Sequence, residues 1–137
     1  MSSDSLAIIA NQAPYVGERA WNALRLGITA LAKDIQVKIF LIDDGIYIAR
    51  KRQSPPEGTP NLEELLKRAI DMGAEVKVCG TCVDSRGFAP ESEEFGVCYI
   101  GKREGGLTPG DLIDGVEMGS MMDLTDWIMN NDKVVSF

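Results

Sequence analysis

Two cysteines three residues apart are the side chains best suited to chemistry in this sequence. They are Cys79 and Cys82, in Val78-Cys79-Gly80-Thr81-Cys82-Val83. A thiolate is a strong nucleophile towards sulfur. Two thiols at this spacing on a helical turn share a face, close enough to form a disulfide or to divide attack and release between them. No histidine occurs among the 137 residues, which removes Ser-His-Asp and Cys-His catalysis and every histidine-containing metal site. The other groups able to do chemistry are carboxylates, Lys, Arg, Tyr and backbone amides. A structural zinc site needs four ligands, and the chain offers this pair plus Cys98, so no metal is expected. No cofactor is expected either. Cys98 is read as a packing residue.

The surroundings of the pair sharpen its reading. Cys79 is expected where a strand ends, the edge at which open α/β sheets gather ligands and chemistry. The next residues begin a loop or a helical turn, and free amides there would stabilise a thiolate. Cys79 is therefore expected to have the lower thiol pKa of the two. Arg86 would add to this effect and Asp84 would oppose it. The plain alternative is that Cys79 is a small buried apolar residue, as free cysteines often are. The pairing and the strand-end position together favour chemistry.

Composition limits the remaining function classes. Hydrophobic residues make up 45% and charged residues 26%, enough for one domain with a real core over residues 1–137. The net charge of -7 argues against a nucleic-acid surface, which needs clustered Lys and Arg. The single basic run, Arg50-Lys51-Arg52, reads as a solvated helix end, with an anion contact as the lesser reading. No segment approaches the roughly 18 apolar residues of a membrane span. The start Met1-Ser2-Ser3-Asp4 lacks the basic residues of a signal peptide. A cytoplasmic location is expected, where reduced thiols make a cysteine pair reactive rather than a structural staple.

The elements that must position the pair follow from hydrophobic patterning. Residues 6–10, 37–42 and 75–79 read as buried strands, and 116–118 and 134–137 as shorter ones. Trp21, Leu24, Ile28 and Leu31 recur at helical spacing over residues 18–33. Residues 46–50 suit a brief helix, and the proline-rich stretch 53–60 an exposed connector. Asn61, with Glu64 three residues on, opens a helix buried through Leu62, Leu65, Leu66, Ala69 and Ile70, and Gly73 stops it. Residues 90–115 read as mostly loop, with one helical turn after Thr108. Met121, Leu124, Trp127 and Ile128 share a helix face, and the stripe bearing Met121, Met122 and Trp127 is expected to be core. Alternating strands and helices predict an α/β fold: one three-layer domain, a mostly parallel sheet of about five strands and helices on both faces.

With these elements in order, the chain resembles the DsrE/DsrF-like family of small sulfur-relay proteins over nearly its whole length. The resemblance lies in the apolar first strand and helix, and in the strand running into Asp44-Gly45-Ile46-Tyr47. It lies also in the strand-end Cys79 followed eight residues later by the glycine of Arg86-Gly87, and in the closing Asp132-Lys133-Val134-Val135-Ser136-Phe137. It implies that Cys79 carries sulfane sulfur as a persulfide, with Cys82 assisting release or idle, and Gly80, Arg86 and Gly87 supporting. It implies a homo- or hetero-oligomer, often trimeric or hexameric, with a homo-oligomer expected here, that meets sulfur donor and acceptor proteins. Cys82 and a lengthened Gly-rich stretch at 96–115 depart from the relay pattern. Two other readings compete. One is a thiol–disulfide redox or sensor protein that cycles the Cys79/Cys82 pair. The other is a non-enzymatic module that binds a small ligand at the strand ends, with 11–17 as an anion loop that lacks the G-x-G-x-x-G spacing.

Overall fold

The structure, a computed structural model, describes residues 4–86 and 109–137. Gly87, Cys98 and most of the stretch 96–115 lie outside the described residues.

Five parallel strands form the centre of the molecule: β1 (Ser5–Ala10), β2 (Gln36–Leu41), β3 (Glu75–Cys79), β4 (Val116–Gly119) and β5 (Lys133–Ser136). Their order across the sheet is β4-β3-β2-β1-β5. A side chain alternates between faces at every step of a strand, and this alternation divides the core in two. Ile8, Ala10, Val37, Ile39, Leu41, Val76 and Val78 face one way and build the larger cluster. Ile9, Phe40 and Cys79 belong to a smaller cluster on the other face.

The larger face is covered by α1 (Arg19–Ala32) and α2 (Leu62–Asp71). The buried line of α1 is Ala20, Ala23, Leu24, Gly27 and Ala30, whereas Trp21, Ile28 and Leu31 are only partly buried. The small residues let the helix lie close to the sheet: a Cβ on Gly27 would stand 3.4 Å from Ile8 Cδ1. In α2 the Asn61 side chain accepts the Glu64 amide at 3.2 Å, the expected N-cap. Leu62, Leu66 and Ala69 are fully buried, with Leu65 and Ile70 at the margin. Gly73 ends this region with φ of 110°.

The opposite face is covered by α4 (Met121–Asn130), capped by a reciprocal box between Ser120 and Asp123. Leu124 and Trp127 are its buried residues, and Trp127 meets Phe40 edge-on with ring centroids 5.9 Å apart. Met121 and Met122 do not join them, against expectation: they are 54% and 79% exposed. Leu124 and Trp127 are the buried side of the helix, and Lys38 and Lys77 stand beside Trp127 on this face. Their ammonium groups lie 5.7 and 5.3 Å from the Trp127 ring.

Two local features feed the site. A 3-10 segment (Asp43–Ala49) follows β2, beginning three residues earlier than the pattern suggested. After β3, the chain turns at once into the short helix α3 (Gly80–Ser85). A single 3-10 turn, Pro109–Asp111, stands where one was expected. The basic run stands at the end of the 3-10 segment, as expected, with Arg50 as its C-cap, and Lys51 pairs with Asp114 at 3.3 Å and Arg52 with Asp111 at 2.7 Å. Among the described residues, no helix is long and apolar enough to cross a membrane.

Candidate functional site

All five strands run the same way, so β2 and β3 bring the starts of the 3-10 segment and of α3 together at one edge. Cys79 is the last residue of β3, paired with Gly119 of β4, and α3 begins at Gly80. The two cysteines are free thiols. Cys79 is 3% exposed and packs with Phe40, Leu124 and Trp127 under α4. Cys82, a turn further on, is half-buried and touches the margins of both clusters. Gly80 is buried at the junction, leaving no side chain between β3 and the turn.

Two groups that the sequence reading did not assign to the site complete it. The backbone amide of Asp43 donates to Cys82 Sγ at 3.2 Å. Asp43 holds a left-handed backbone with φ of 57°, uncommon for a residue with a side chain and tolerated best by Asn and Asp. Asp44 lies beside it, and both carboxylates grip Arg86. Arg86 Nη2 is 2.9 Å from Asp43 Oδ1 and 2.9 Å from Asp44 Oδ1, and its Nε donates to Asp44 at 3.1 Å. The remaining arm of the guanidinium, Nη1, donates to the Cys82 carbonyl and to Ser85 Oγ, each at 3.1 Å. The planar fork of Arg86 thus ties the 3-10 segment to α3 around the Cys82 sulfur. The sequence did carry a signal for this pair of aspartates: they follow β2 directly, and neighbouring parallel strands bring their C-terminal ends together.

The electrostatics reverse the expected order of the thiols. The Cys82 pKa is pulled down from 9.0 to about 6. The first cause is the hydrogen bond from the Cys79 thiol, and the Asp43 amide and the Arg86 charge add to it against the cost of burial. The Cys79 pKa is pushed up, first by that same bond to Cys82 and then by burial. The amides of Cys82 and Thr81 act in the other direction on Cys79 and do not prevail. The direction of both shifts runs against the expectation that strand-end amides make Cys79 the more acidic thiol. The neighbouring Cys82 sulfur and then burial outweigh the two amides at Cys79. Arg86 acts as expected, but on Cys82. Asp84 is partly desolvated, which raises its carboxyl pKa.

The other proposed ligand-binding segment, residues 11–17, begins beside Ser136 and Phe137. The Asn11 amide donates to the Phe137 carbonyl at 2.9 Å, and its side chain reaches Ser136 and Phe137. Among the described residues, no three His, Cys, Asp or Glu side chains gather closely enough to hold a metal ion.

A parallel five-stranded α/β sheet with a thiol pair at one strand end defines the class of this protein. The family follows from comparison with known proteins: the DsrE/DsrF-like family profile matches residues 4–137, and the chain belongs to that family. An uncharacterized protein of Methanopyrus kandleri is 40% identical over 134 residues, covering 98% of this chain and 94% of that one. Protein YchN of Escherichia coli is 31% identical over 134 residues, covering 96% of this chain and 97% of YchN. The crystal structure of YchN superposes with a TM-score of 0.75 at 30% identity, over 98% of this chain and 99% of that one.

Proposed function

We propose that this protein is a sulfane-sulfur carrier working through the Cys79/Cys82 pair in a reducing, cytoplasmic setting. The observation that carries the reading is the pair itself: two free thiols side by side at a strand end, one buried and one half-buried. Such a pair holds a thiolate ready to attack the outer sulfur of a donor persulfide. Family membership supports sulfur relay as the setting. Arg86 supports the site by fixing α3 against the 3-10 segment. Gly80 supports it by allowing the close turn from β3, and the role given to Gly87 stays with the family resemblance.

The test is intact-mass measurement after exposure to a sulfane-sulfur donor, followed by peptide mapping. The expected outcome is a gain of one or more sulfur atoms at the pair, absent from the variant in which both Cys79 and Cys82 are Ser. The competing thiol–disulfide reading draws on the same proximity of the sulfurs. It requires instead the loss of two hydrogens on mild oxidation, with no sulfur gained.

The chain is also proposed to form a homo-oligomer, trimeric or hexameric as the family resemblance implies. The supporting observation is the outer side of α4, where Met121, Met122, Ile128 and Met129 are 54%, 79%, 41% and 75% exposed. Apolar side chains gathered on one exposed helix suit burial against another protein surface.

A further inference from the structure

We propose that Cys82, rather than Cys79, is the sulfur that meets the donor, and that Cys79 is a positioning residue beneath it. This inference rests on the carrier reading and assigns the parts of that site. It reverses the order set by the family resemblance, in which the strand-end cysteine is loaded.

Three geometric observations carry it. The first is access: Cys79 is 3% exposed under Phe40, Leu124 and Trp127, whereas Cys82 is half-buried. An attacking thiolate must reach a sulfur on another molecule, and of the two only Cys82 keeps part of its surface open. The second is the hydrogen bond from the Asp43 amide to Cys82 Sγ at 3.2 Å. That amide is aimed by a left-handed residue, the kind of backbone that persists only where its surroundings enforce it. The third is Arg86, whose side chain is 16% exposed and whose two aspartate contacts hold it over the Cys82 turn. Cys79 instead sits among apolar side chains, with the Cys82 and Thr81 amides as the backbone groups directed at it.

The loading step is a displacement at sulfur. The Cys82 thiolate attacks the outer sulfur of a donor persulfide, R–S–SH. A new bond forms between Cys82 Sγ and that sulfur, and the bond between the donor's two sulfurs breaks. The electron pair and the proton go to the donor's inner sulfur, which leaves as R–SH, and Cys82 is left as Cys82–S–S⁻. An acceptor thiolate then removes the outer sulfur by the same displacement and restores the Cys82 thiolate. No oxidant or reductant is consumed. Cys79, buried and packed beside Cys82, keeps its proton throughout and bears on the charged sulfur as a neighbouring thiol.

The magnitudes favour Cys82 at neutral pH. Compared with a thiol at the ordinary 9.0, one at about 6 has a far larger thiolate fraction but lower intrinsic nucleophilicity. With the usual dependence of nucleophilicity on basicity, the gain in thiolate fraction near neutral pH exceeds the loss of nucleophilicity.

The experiment measures two things on Cys79→Ser, Cys79→Ala, Cys82→Ser and Cys82→Ala, with circular dichroism to verify folding. One is iodoacetamide alkylation against pH, with the label located by peptide mapping so that Cys98 is counted separately. The other is sulfur gain from a glutathione persulfide donor. The expected result is a fast-reacting Cys82 in both Cys79 variants and persulfide found on Cys82, with loading lost in both Cys82 variants. Cys79→Ala should raise the pH midpoint of Cys82 alkylation, and Cys79→Ser, which keeps a hydroxyl donor, should restore part of it. Loading at Cys79 in a folded Cys82 variant, or faster alkylation of Cys79 than of Cys82, overturns the assignment. An unchanged midpoint in Cys79→Ala overturns the positioning role. If nothing loads on the wild-type protein while Cys82 alkylates fast, the carrier reading fails and Cys82 stands as the reactive thiol.

Discussion

Cys82 owes its charge to groups from three parts of the chain: the Cys79 thiol, the Asp43 amide and Arg86. This has a consequence for stability that the absence of histidine makes easy to observe. A pKa lowered on folding means that the unfolded chain binds the extra proton between about 6 and 9.0, so stability rises with pH across that window. The contribution is complete above 9.0 and lost as pH falls through about 6. Cys79, shifted up, has the opposite sign and lowers stability once an unfolded thiol would ionise. The thermal midpoint of the wild-type protein should therefore climb from about pH 6 towards pH 9, and the climb should flatten in Cys82→Ser. Arg86→Gln should raise the alkylation midpoint of Cys82. It should also cost about 1 kcal/mol in urea unfolding, since the aspartates it binds are themselves more than half exposed. The sequence revealed the pair and Arg86. It did not reveal the acidity order, because burial under a helix forty residues further along is not a property of the Cys-x-x-Cys spacing.

At the scale of elements, the 3-10 segment after β2 is the part of the site that sequence patterning placed least well. The pattern marked apolar residues 46–50, whereas the segment starts at Asp43, where the amide is needed. Gly45 explains why the segment can lie so close to β1. A Cβ there would collide with the Ala10 carbonyl oxygen and stand 3.3 Å from the Asn11 nitrogen. The Asp44-Gly45 step seen in the sequence is thus a close backbone approach rather than a simple turn. Gly45→Ala should shift the whole segment. The expected result is a clear loss of stability in urea, on the order of 2 kcal/mol or more. The alkylation midpoint of Cys82 should also rise, because the Asp43 amide moves away. Asn61→Ala at the start of α2 is a useful contrast: it should cost about 1 kcal/mol and leave Cys82 alkylation unchanged, as its cap bond to the Glu64 amide involves no group of the cysteine site.

At the scale of the whole molecule, the two faces of the sheet are covered unequally. Two helices and most of the core lie on one face, and α4 with its four-residue cluster lies on the other. The exposed methionines of α4 are the surface an oligomer would cover. In sedimentation equilibrium the wild-type protein should exceed monomer mass at micromolar concentration. Replacing Met122 and Met129 together by Lys should shift it towards monomer without unfolding it, because both side chains are more than 70% exposed. A wild-type chain that is monomeric throughout would remove self-association from the reading.

The sequence by itself determined the elements, the parallel sheet and the residues that could react. Hydrophobic period, N-cap chemistry at Asn61 and glycine stops act within a few residues, and so survive in a linear reading. The strand-end position of Cys79 followed from the same local signals. Tertiary structure decided everything that depends on which elements meet. It placed β2 beside β3, and so the Asp43 amide against a sulfur 39 residues away. It laid α4 over Cys79 but left Met121 and Met122 outside. It gave Arg86 to two aspartates more than forty residues earlier. A thiol's charge is set by the solvent and dipoles around it, and those arrive from distant segments only when the sheet assembles.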